Sequence, residues 1–203
     1  MGTGKMNFML VGVGGQGTLL ASDILADLGV RLGFDAKKAE IHGMAQRGGS
    51  VTSFVRWDKE VFSPIIAKGE VDILLAFESL EALRYLEQLK PGGTLLVNNQ
   101  EIEPITVKAG DEVYPTSAEF SKAFENSAGK VFHVDGLQLA EKAGNAKTAN
   151  VAILGALSAL LDTPSETWLE VIEAHVPPKA VEVNRKAFLL GREQIEMGGN
   201  IFK

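Results

Sequence analysis

Three glycines near the amino terminus have the spacing of a dinucleotide-binding turn. Gly12, Gly14 and Gly17 follow the apolar residues 8–11 and spell GxGxxG. In such a turn the first glycine permits a sharp bend, the second lets the backbone approach a pyrophosphate, and the third lets a helix pack closely on a strand. The amino terminus of that helix then attracts phosphates. The motif raises the hypothesis of nucleotide binding, and a purely structural strand-to-helix turn is the alternative.

The acidic residue that would bind ribose hydroxyls is not evident in the pattern. Asp35 lies roughly 20 residues beyond the start of the turn, where that residue is expected. The basic pair Lys37 and Lys38 follows it, however, instead of the end of an apolar strand. The turn is therefore a candidate contact for either a ligand or a partner chain. Its candidate residues are Gly12, Gly14, Gly15, Gln16 and Gly17.

A second polar loop precedes a predicted strand. Residues 40–56 read EIHGMAQRGGSVTSFVR and place His42, Gln46 and Arg47 among glycines. A guanidinium on a glycine-rich loop can bind a carboxylate or a phosphate through two parallel hydrogen bonds. The alternative is a bend that only joins two elements, with Arg47 paired internally to an acid such as Glu40. The candidate contact residues of this loop are Arg47, Gly48 and Gly49.

Other arrangements of chemically active side chains find no support. The three histidines, His42, His133 and His175, are too scattered for local metal-ligand spacing, and His175 is predicted at a helix end. Ser22 and Ser50 lack the sequence context of a hydrolase nucleophile. We therefore assign no catalytic residue and predict no metal site.

Two asparagines have patterns that allow either a structural or a binding role. Asn150 opens a predicted apolar helix over residues 151–161. Asn184 shares a helical stripe with Val181 and Phe188, which predicts a partly buried and hydrogen-bonded amide. Helix capping or inter-helix contact is the first interpretation of both, and ligand contact is the second.

Charge and length limit the functional classes. The chain has 203 residues, of which 45% are hydrophobic, enough for one substantial core. We predict a single domain over residues 6–203, with residues 1–5 as an added or flexible extension. The 20 basic and 26 acidic side chains give a net charge of −6, and no basic run is longer than the pair at 37–38. Since nucleic-acid binding needs a basic stripe, none is expected.

Cysteine content and apolar run lengths narrow the classes further. The chain has no cysteine, which excludes disulfides, thiolate zinc sites and cysteine-ligated iron–sulfur clusters within it. Its longest apolar stretches, such as residues 151–161, are shorter than the roughly 20 residues of a membrane-spanning helix. The amino terminus lacks the apolar core of a signal peptide. We expect a cytoplasmic protein without a membrane segment.

Hydrophobic periodicity predicts the elements that position these loops. Alternating strands and helices, with a βαβ crossover between residues 71 and 98, indicate a parallel sheet. The alternation over residues 50–57 predicts an antiparallel strand, and Thr163, Pro164 and Glu166 predict a capped helix start. The predicted strands cover residues 8–13, 50–57, 71–77, 94–98 and 131–135, and the first helix covers residues 18–32. The fold class is α/β, a three-layer Rossmann-like domain with a mostly parallel, mixed sheet and a helical C-terminal part.

Several stretches together resemble one protein family. They are GVGGQGTLLASDIL, HGMAQRGGSV, FSPII, LLAFESLEALRYL, NAKTANVAILGAL and VEVNRKAF. This set resembles the small subunits of the pyruvate and 2-oxoacid ferredoxin oxidoreductase family over nearly the whole chain from Met6. Sister gamma subunits that act on pyruvate or 2-oxoglutarate have a similar loop around RGG but usually lack HGMAQ. The resemblance therefore favours the beta subunits of indolepyruvate ferredoxin oxidoreductases.

The resemblance implies a division of labour between subunits. Enzymes of this family decarboxylate a 2-oxoacid on thiamine diphosphate, pass electrons through iron–sulfur clusters to ferredoxin, and release an acyl-CoA with coenzyme A as cosubstrate. In the indolepyruvate branch the thiamine cofactor and the clusters are expected on an alpha subunit, the implied partner of this chain. The lack of cysteine agrees with that expectation. VNN at 97–99 and VDG at 134–136 occur in the wrong order for the family's thiamine site.

Two other functions remain open from the sequence. One is a gamma subunit of a pyruvate or 2-oxoglutarate ferredoxin oxidoreductase. The other is a free-standing Rossmann-type oxidoreductase that binds a nucleotide on its own. The glycine turn suits all three functions, but only a subunit of an oxoacid oxidoreductase explains the HGMAQRGGSV loop in a chain without a catalytic set.

Overall fold

The computed structural model describes residues 4–42, 49–161, 163–198 and 201–202. These residues form a seven-stranded mixed sheet in the order β2-β3-β1-β4-β5-β6-β7. The strands are β1 (Met6–Val13), β2 (Asp35–His42), β3 (Ser50–Asp58), β4 (Val71–Ala76), β5 (Leu89–Asn98), β6 (Lys130–Val134) and β7 (Ile201–Phe202). The helices are α1 (Thr18–Arg31), α2 (Ser79–Tyr85), α3 (Ile105–Lys108), α4 (Ser117–Ser127), α5 (Gly136–Ala143), α6 (Ala149–Leu160), α7 (Ser165–His175) and α8 (Val181–Glu196).

The central strands are buried on both faces because helices cover both. In β1, Phe8 and Leu10 pack into the core beneath α1 and α5 to α8, whereas Met9 and Val11 pack into the opposite core beneath α2 and α4. The strands β1, β4, β5 and β6 run parallel, and β3 runs antiparallel beside β1. The predicted three-layer α/β architecture, with its antiparallel strand and its βαβ crossover, is confirmed. No helix among the described residues has the length and apolar character needed to cross a bilayer.

Two helices of the C-terminal part, α6 and α8, cross so closely that their backbones are in contact. Gly155 of α6 and Gly191 of α8 lie at the crossing. A Cβ at Gly155 would lie closer than 3.0 Å to the Phe188 carbonyl oxygen, and one at Gly191 equally close to the Ala152 carbonyl oxygen. Real Cβ atoms do not approach backbone that closely. The close packing of α6 on α8 therefore depends on two residues without side chains.

Strand β2 is absent from the sequence-based prediction. Its residues, DAKKAEIH, form one edge of the sheet and pair only with β3 among the described residues. Asp35 begins this strand at the end of the sheet opposite the glycine turn, because it pairs with Asp58 while Val13 pairs with Ser50. Its carboxylate accepts hydrogen bonds from the Val61 amide at 2.8 Å and from Lys37 at 3.1 Å. Asp35 is thus in the wrong place to bind a ribose at the turn.

Three further details differ from the predictions. Helix α7 begins at Ser165 after Pro164, without a side-chain cap, because the Thr163 hydroxyl accepts a hydrogen bond from the Trp168 indole at 2.8 Å instead. Strand β5 starts at Leu89, whereas the predicted strand starts at residue 94. The chain does not end in helix, because the short strand β7 pairs antiparallel with β6.

Candidate functional site

The glycine turn connects β1 to α1 at the carboxyl end of the parallel strands. Gly15 and Gly17 have φ values of +108° and +80°, a left-handed region that strains other residues. Gly12 has no positive φ but is crowded, since a Cβ there would lie 2.8 Å from Gln16 Oε1 and 2.9 Å from Thr18 Oγ1. The glycines therefore serve two needs, unusual backbone angles at Gly15 and Gly17 and close packing at Gly12.

The side chain of Gln16 fills the inside of this turn. Its Oε1 accepts a hydrogen bond from the Val13 amide at 2.7 Å, which fixes the orientation of the side-chain amide. Its Nε2 donates to the Phe77 carbonyl at 2.8 Å and to Gln100 Oε1 at 2.9 Å. The turn thus uses a side chain of its own to satisfy backbone groups from β1 and from the residue after β4.

Asn98 and Gln100 extend this network across the ends of the strands. Asn98 Oδ1 accepts from the Gly136 amide at 2.9 Å, and its Nδ2 donates to the Phe77 carbonyl at 3.0 Å and to Gln100 Oε1 at 3.2 Å. Asn98 is 2% exposed. Three amide side chains, that of Gln16 from the turn and those of Asn98 and Gln100 from the end of β5 and just beyond it, therefore lock the carboxyl ends of β1, β4 and β5 together.

Helix α1 begins at the turn without a side-chain cap. Its N-cap residue is Gly17, and the Thr18 hydroxyl is buried with no hydrogen-bond partner among the described residues. Asn150, at the start of α6, packs against Gly17 and donates to its carbonyl at 3.3 Å. The role of Asn150 in the structure is thus to join α6 to the turn. Asn184 is 6% exposed and donates to the Ala180 carbonyl at 2.8 Å, as its helical stripe predicted.

The end of the glycine-rich loop lies against the turn. The Gly14 amide donates to the Gly49 carbonyl at 2.9 Å. Gln46, Arg47 and Gly48 lie outside the described residues. Glu40, the suggested internal partner of Arg47, forms an ion pair with Lys38 at 2.6 Å. Six of the eight candidate contact residues, those of the turn and Gly49, are described by the structure; Gly12 is buried, and Gly14 and Gly49 are joined by this hydrogen bond.

A buried carboxylate holds the beginning of β3. The Ser50 hydroxyl donates to Glu81 Oε2 at 2.5 Å, and Arg84 donates to Glu81 Oε1 at 2.7 Å. Glu81 is 2% exposed, and this burial, aided by the nearby charge of Glu78, raises the pKa of its carboxyl group above the ordinary value. The hydrogen bond from Ser50 and the charge of Arg84 oppose that rise. The hydrogen bond to Glu81 fixes Ser50, the residue that follows the candidate loop. This contact has an energetic cost, because burial disfavours the charged carboxylate.

Glu81→Gln is expected to change how stability depends on pH. Because the pKa of Glu81 is raised in the folded state, folding takes up a proton, and this contribution to stability is lost as pH rises through the raised pKa. Glutamine still accepts from Ser50 but does not ionise. When thermal unfolding is measured over about pH 4 to 8, stability should therefore fall less toward high pH in the variant than in the parent chain. The exposed Glu125→Gln is the control, and identical pH profiles for parent and Glu81→Gln would contradict the assignment.

A cavity of about 270 Å³ opens beside the amide network. Its walls come from the turn, from the residues after β4 and β5, and from the starts of α5 and α6. Gln100 and Lys147 supply polar groups, and Leu137 supplies an exposed apolar wall. This position, outside the carboxyl ends of parallel strands, is where α/β sheets commonly bind small molecules.

A second cavity, of about 390 Å³, lies on the other face of the sheet near His133. The His133 Nδ1 atom lies 2.8 Å from Asn99 Oδ1, and Asn99 in turn donates to Asp135 at 2.8 Å. Burial lowers the pKa of His133, and the charge of Asp135 partly offsets that effect. His175 ends α7 and lies 2.9 Å from the Val171 carbonyl oxygen. Neither histidine belongs to a group of potential metal ligands in the part of the chain that the structure describes.

The order of the sheet argues against a classical dinucleotide site. In that fold a second parallel strand lies next to β1 and ends in the ribose-binding acid. Here the antiparallel strand β3 occupies that place, and Asp35 lies at the other end of the sheet. The space inside the turn is also filled by Gln16. The arrangement is instead an α/β domain with a glycine turn, an adjoining loop end and an amide-lined cavity on one edge.

This domain belongs to the pyruvate ferredoxin/flavodoxin oxidoreductase family, whose model matches residues 7–194. The indolepyruvate oxidoreductase subunit IorB of Thermococcus kodakarensis is 42% identical to it over 92% of this chain and 94% of that protein. IorB of Archaeoglobus fulgidus is 37% identical over 96% of this chain and 97% of that protein. The crystal structure of the keto/oxoacid ferredoxin oxidoreductase gamma subunit from Geobacter sulfurreducens has a TM-score of 0.70 and 26% identity, covering 95% of this chain and 99% of that one. The resemblance identified from the motifs is confirmed.

Proposed function

We propose that this chain is the beta subunit of an indolepyruvate ferredoxin oxidoreductase. The complex would oxidatively decarboxylate aryl 2-oxoacids to aryl-acetyl-CoA, with ferredoxin as the electron acceptor. The observation that carries the proposal is the 42% identity to an indolepyruvate oxidoreductase subunit over nearly the full length of both chains. The HGMAQRGGSV loop supports the same branch of the family.

The redox cofactors belong on the partner in this proposal. Cysteine-ligated iron–sulfur clusters do not fit this chain, because it has no cysteine. Thiamine diphosphate and the clusters are therefore assigned to the alpha subunit, and coenzyme A is the cosubstrate of the assembled enzyme. No redox step is assigned to residues of this chain. The chain is assigned to the cytoplasm.

The glycine turn and the end of the adjoining loop supply the surface that would face the alpha subunit. Gly15 is exposed, and apart from its chain neighbours no atom of the described residues lies within 4 Å of the position where its Cβ would be. The hydrogen bond from Gly14 to Gly49 joins the turn to the loop that carries Arg47. Backbone without side chains permits a partner or a cosubstrate to approach closely. These residues would bind and position, while the chemistry takes place on the partner.

The isolated chain is expected to be colourless, free of iron and inactive toward 2-oxoacids. Activity should appear when it is purified together with the alpha subunit, because the proposed cofactors belong to that subunit. The measurements are iron and sulfide content, followed by reduction of a viologen acceptor with coenzyme A and indolepyruvate, pyruvate or 2-oxoglutarate. Stoichiometric iron in the isolated chain would contradict the proposal.

The choice of 2-oxoacid separates the proposal from its nearest alternative. The aryl substrate should give the highest kcat/KM with the reconstituted complex. A preference for pyruvate or 2-oxoglutarate would instead identify a gamma-type subunit. Activity of this chain alone with a nicotinamide nucleotide would identify a free-standing oxidoreductase, which the sheet order and Gln16 already disfavour.

A further inference from the structure

The FSPII segment, residues 62–66, presents two apolar side chains to solvent. It lies between β3 and β4, and Val61 and Ile66, which flank the exposed part, are buried. Between them Phe62 is 88% exposed and Ile65 is 48% exposed, and we call these two side chains the knob. Neighbouring exposed apolar residues often mark a contact surface. The segment is one of the stretches that carry the family resemblance, and the proposed function gives it no role.

Hydrogen bonds hold the backbone that carries the knob. The Val61 amide donates to the Asp35 carboxylate at 2.8 Å. The Arg56 guanidinium donates to the carbonyl oxygens of Ser63 at 3.0 Å and of Ile65 at 3.2 Å. The knob is therefore exposed on a fixed backbone. A preorganised surface of this kind loses little conformational entropy when a partner binds.

An open groove of about 500 Å³ lies beside the knob. Ile66 packs in the same core cluster as groove residues, and Lys68 forms an ion pair with Glu87 of the groove wall at 2.5 Å. The volume lies within the roughly 300 to 1,000 Å³ of pockets that enclose whole small molecules, so a phenyl ring has ample room. The apolar residues that line the groove are Leu83, Leu86, Leu89 and Pro91.

The knob and the groove both lie at the amino end of the parallel strands, opposite the glycine turn. The knob segment follows β3, in which Trp57 pairs with Met6, the first residue of β1. The groove includes Leu89, the first residue of β5, which pairs with Val71 at the start of β4. The glycine turn instead follows the last residue of β1. A contact through the knob and the groove therefore does not compete with the proposed contact between the turn and the alpha subunit.

The charges around the two features are opposite in sign. Residues 58–60, Asp-Lys-Glu, precede the knob and carry a net charge of −1. The groove is lined by Arg84, Lys90 and Glu87, which carry a net charge of +1. Arg84 and Lys90 are each about half exposed, while the acids that pair with them lie deeper in the chain. An entering aromatic ring would also meet these cations, which attract the face of a phenyl group.

We propose that two copies of this chain associate through this face, with Phe62 of each copy inserted into the groove of the other. A symmetric contact needs a patch that complements itself, and an adjoining knob and groove supply one. The opposite net charges of the two features fit the same pairing. The proposal goes beyond the proposed function and does not depend on which 2-oxoacid the complex uses.

Sedimentation velocity of the full chain, from micromolar to submillimolar concentration, tests this contact. The parent chain should form dimers. Phe62→Ser removes the knob, and Ser127→Trp places a ring in the groove from an exposed position on its rim. Each variant should raise the dissociation constant of the dimer at least about a hundredfold, because a central aromatic contact is lost twice in a symmetric pair. Val113→Ser is the control, since it removes a 93% exposed apolar side chain between α3 and α4.

A mixture of the two variants separates loss of this contact from loss of the fold. A mixed dimer keeps one intact pair, with Phe62 of the Ser127→Trp chain in the open groove of the Phe62→Ser chain. The mixture should therefore associate more tightly than either variant alone. A parent chain that stays monomeric at every concentration, or a mixture that associates no better than its components, would overturn the proposal. So would Phe62→Ser if it released the alpha subunit from the complex while the dimer of this chain persisted.

Discussion

Gly191→Ala is expected to lower the free energy of unfolding by about 2 kcal/mol. The added methyl group would collide with the Ala152 carbonyl oxygen, and backbone in the middle of a helix cannot move aside as a flexible side chain does. Overpacking of this kind costs about 3 kcal/mol, and the better helix propensity of alanine offsets about 1 kcal/mol of that. For a chain of this length, the melting temperature should fall by about 4 to 8 °C.

Calorimetry or circular dichroism of the isolated chain measures this change. Lys186→Ala, on an exposed part of the same helix, is the matched control and should stay within about 0.5 kcal/mol of the parent. Gly155→Ala should destabilise in the same way, because its methyl group would meet the Phe188 carbonyl oxygen. A melting temperature for Gly191→Ala equal to or above that of the parent would show that the two helices separate without cost.

Substitution of Arg47 is expected to reduce the activity of the assembled enzyme about tenfold to a hundredfold. A charge-assisted, two-pronged contact of a guanidinium with a carboxylate or phosphate contributes about 1.5 to 3 kcal/mol. Lysine cannot reproduce the planar pair of hydrogen bonds, so both Arg47→Lys and Arg47→Ala should lose activity. The reason to expect this effect is the hydrogen bond from the Gly14 amide to the Gly49 carbonyl, because Gly49 follows Arg47 by two residues and is held at the turn.

The comparison of stability with activity separates contact from internal structure. Both Arg47 variants should melt near the parent temperature as isolated chains, and Arg185→Ala serves as a control for the loss of one exposed cation. Glu40, the candidate for an internal partner, already pairs with Lys38. A clear fall in melting temperature with normal activity of the complex would mean that Arg47 only ties down its own loop.

The central strands and their helices could be predicted because burial on both faces leaves a strong pattern. Residues 71–77 form a nearly continuous apolar run, and β4 covers Val71–Ala76. Strand β2 could not be found in this way, because it lies at the edge of the sheet and carries charged residues that an edge tolerates. Thr163 has the residue type of a helix cap, but a hydrogen bond with Trp168 takes its hydroxyl. Local patterns fail where a tertiary contact competes for the same atom.

The candidate site was only partly visible for a related reason. The turn has a local signature, in which Gly17 adopts a left-handed backbone conformation and Gly12 makes close contacts. Gln100 has none, because its role comes from contact with Gln16, 84 residues away. Lys147 has none either, because a single lysine in a helical region forms no distinguishing pattern. Only the folded structure shows that both residues line the same cavity.

The Gln16 side chain already occupies the inside of the turn and makes three hydrogen bonds there, so it competes with any ligand that would enter the same space. A phosphate entering the same space would have to displace three hydrogen bonds, at about 0.5 to 1.5 kcal/mol each. Together these costs would weaken such binding roughly tenfold to a thousandfold. Fluctuations in the concentration of free dinucleotides should therefore not affect the inside of the turn, and a partner or ligand that contacts the turn should do so from its outer side, where Gly15 is exposed.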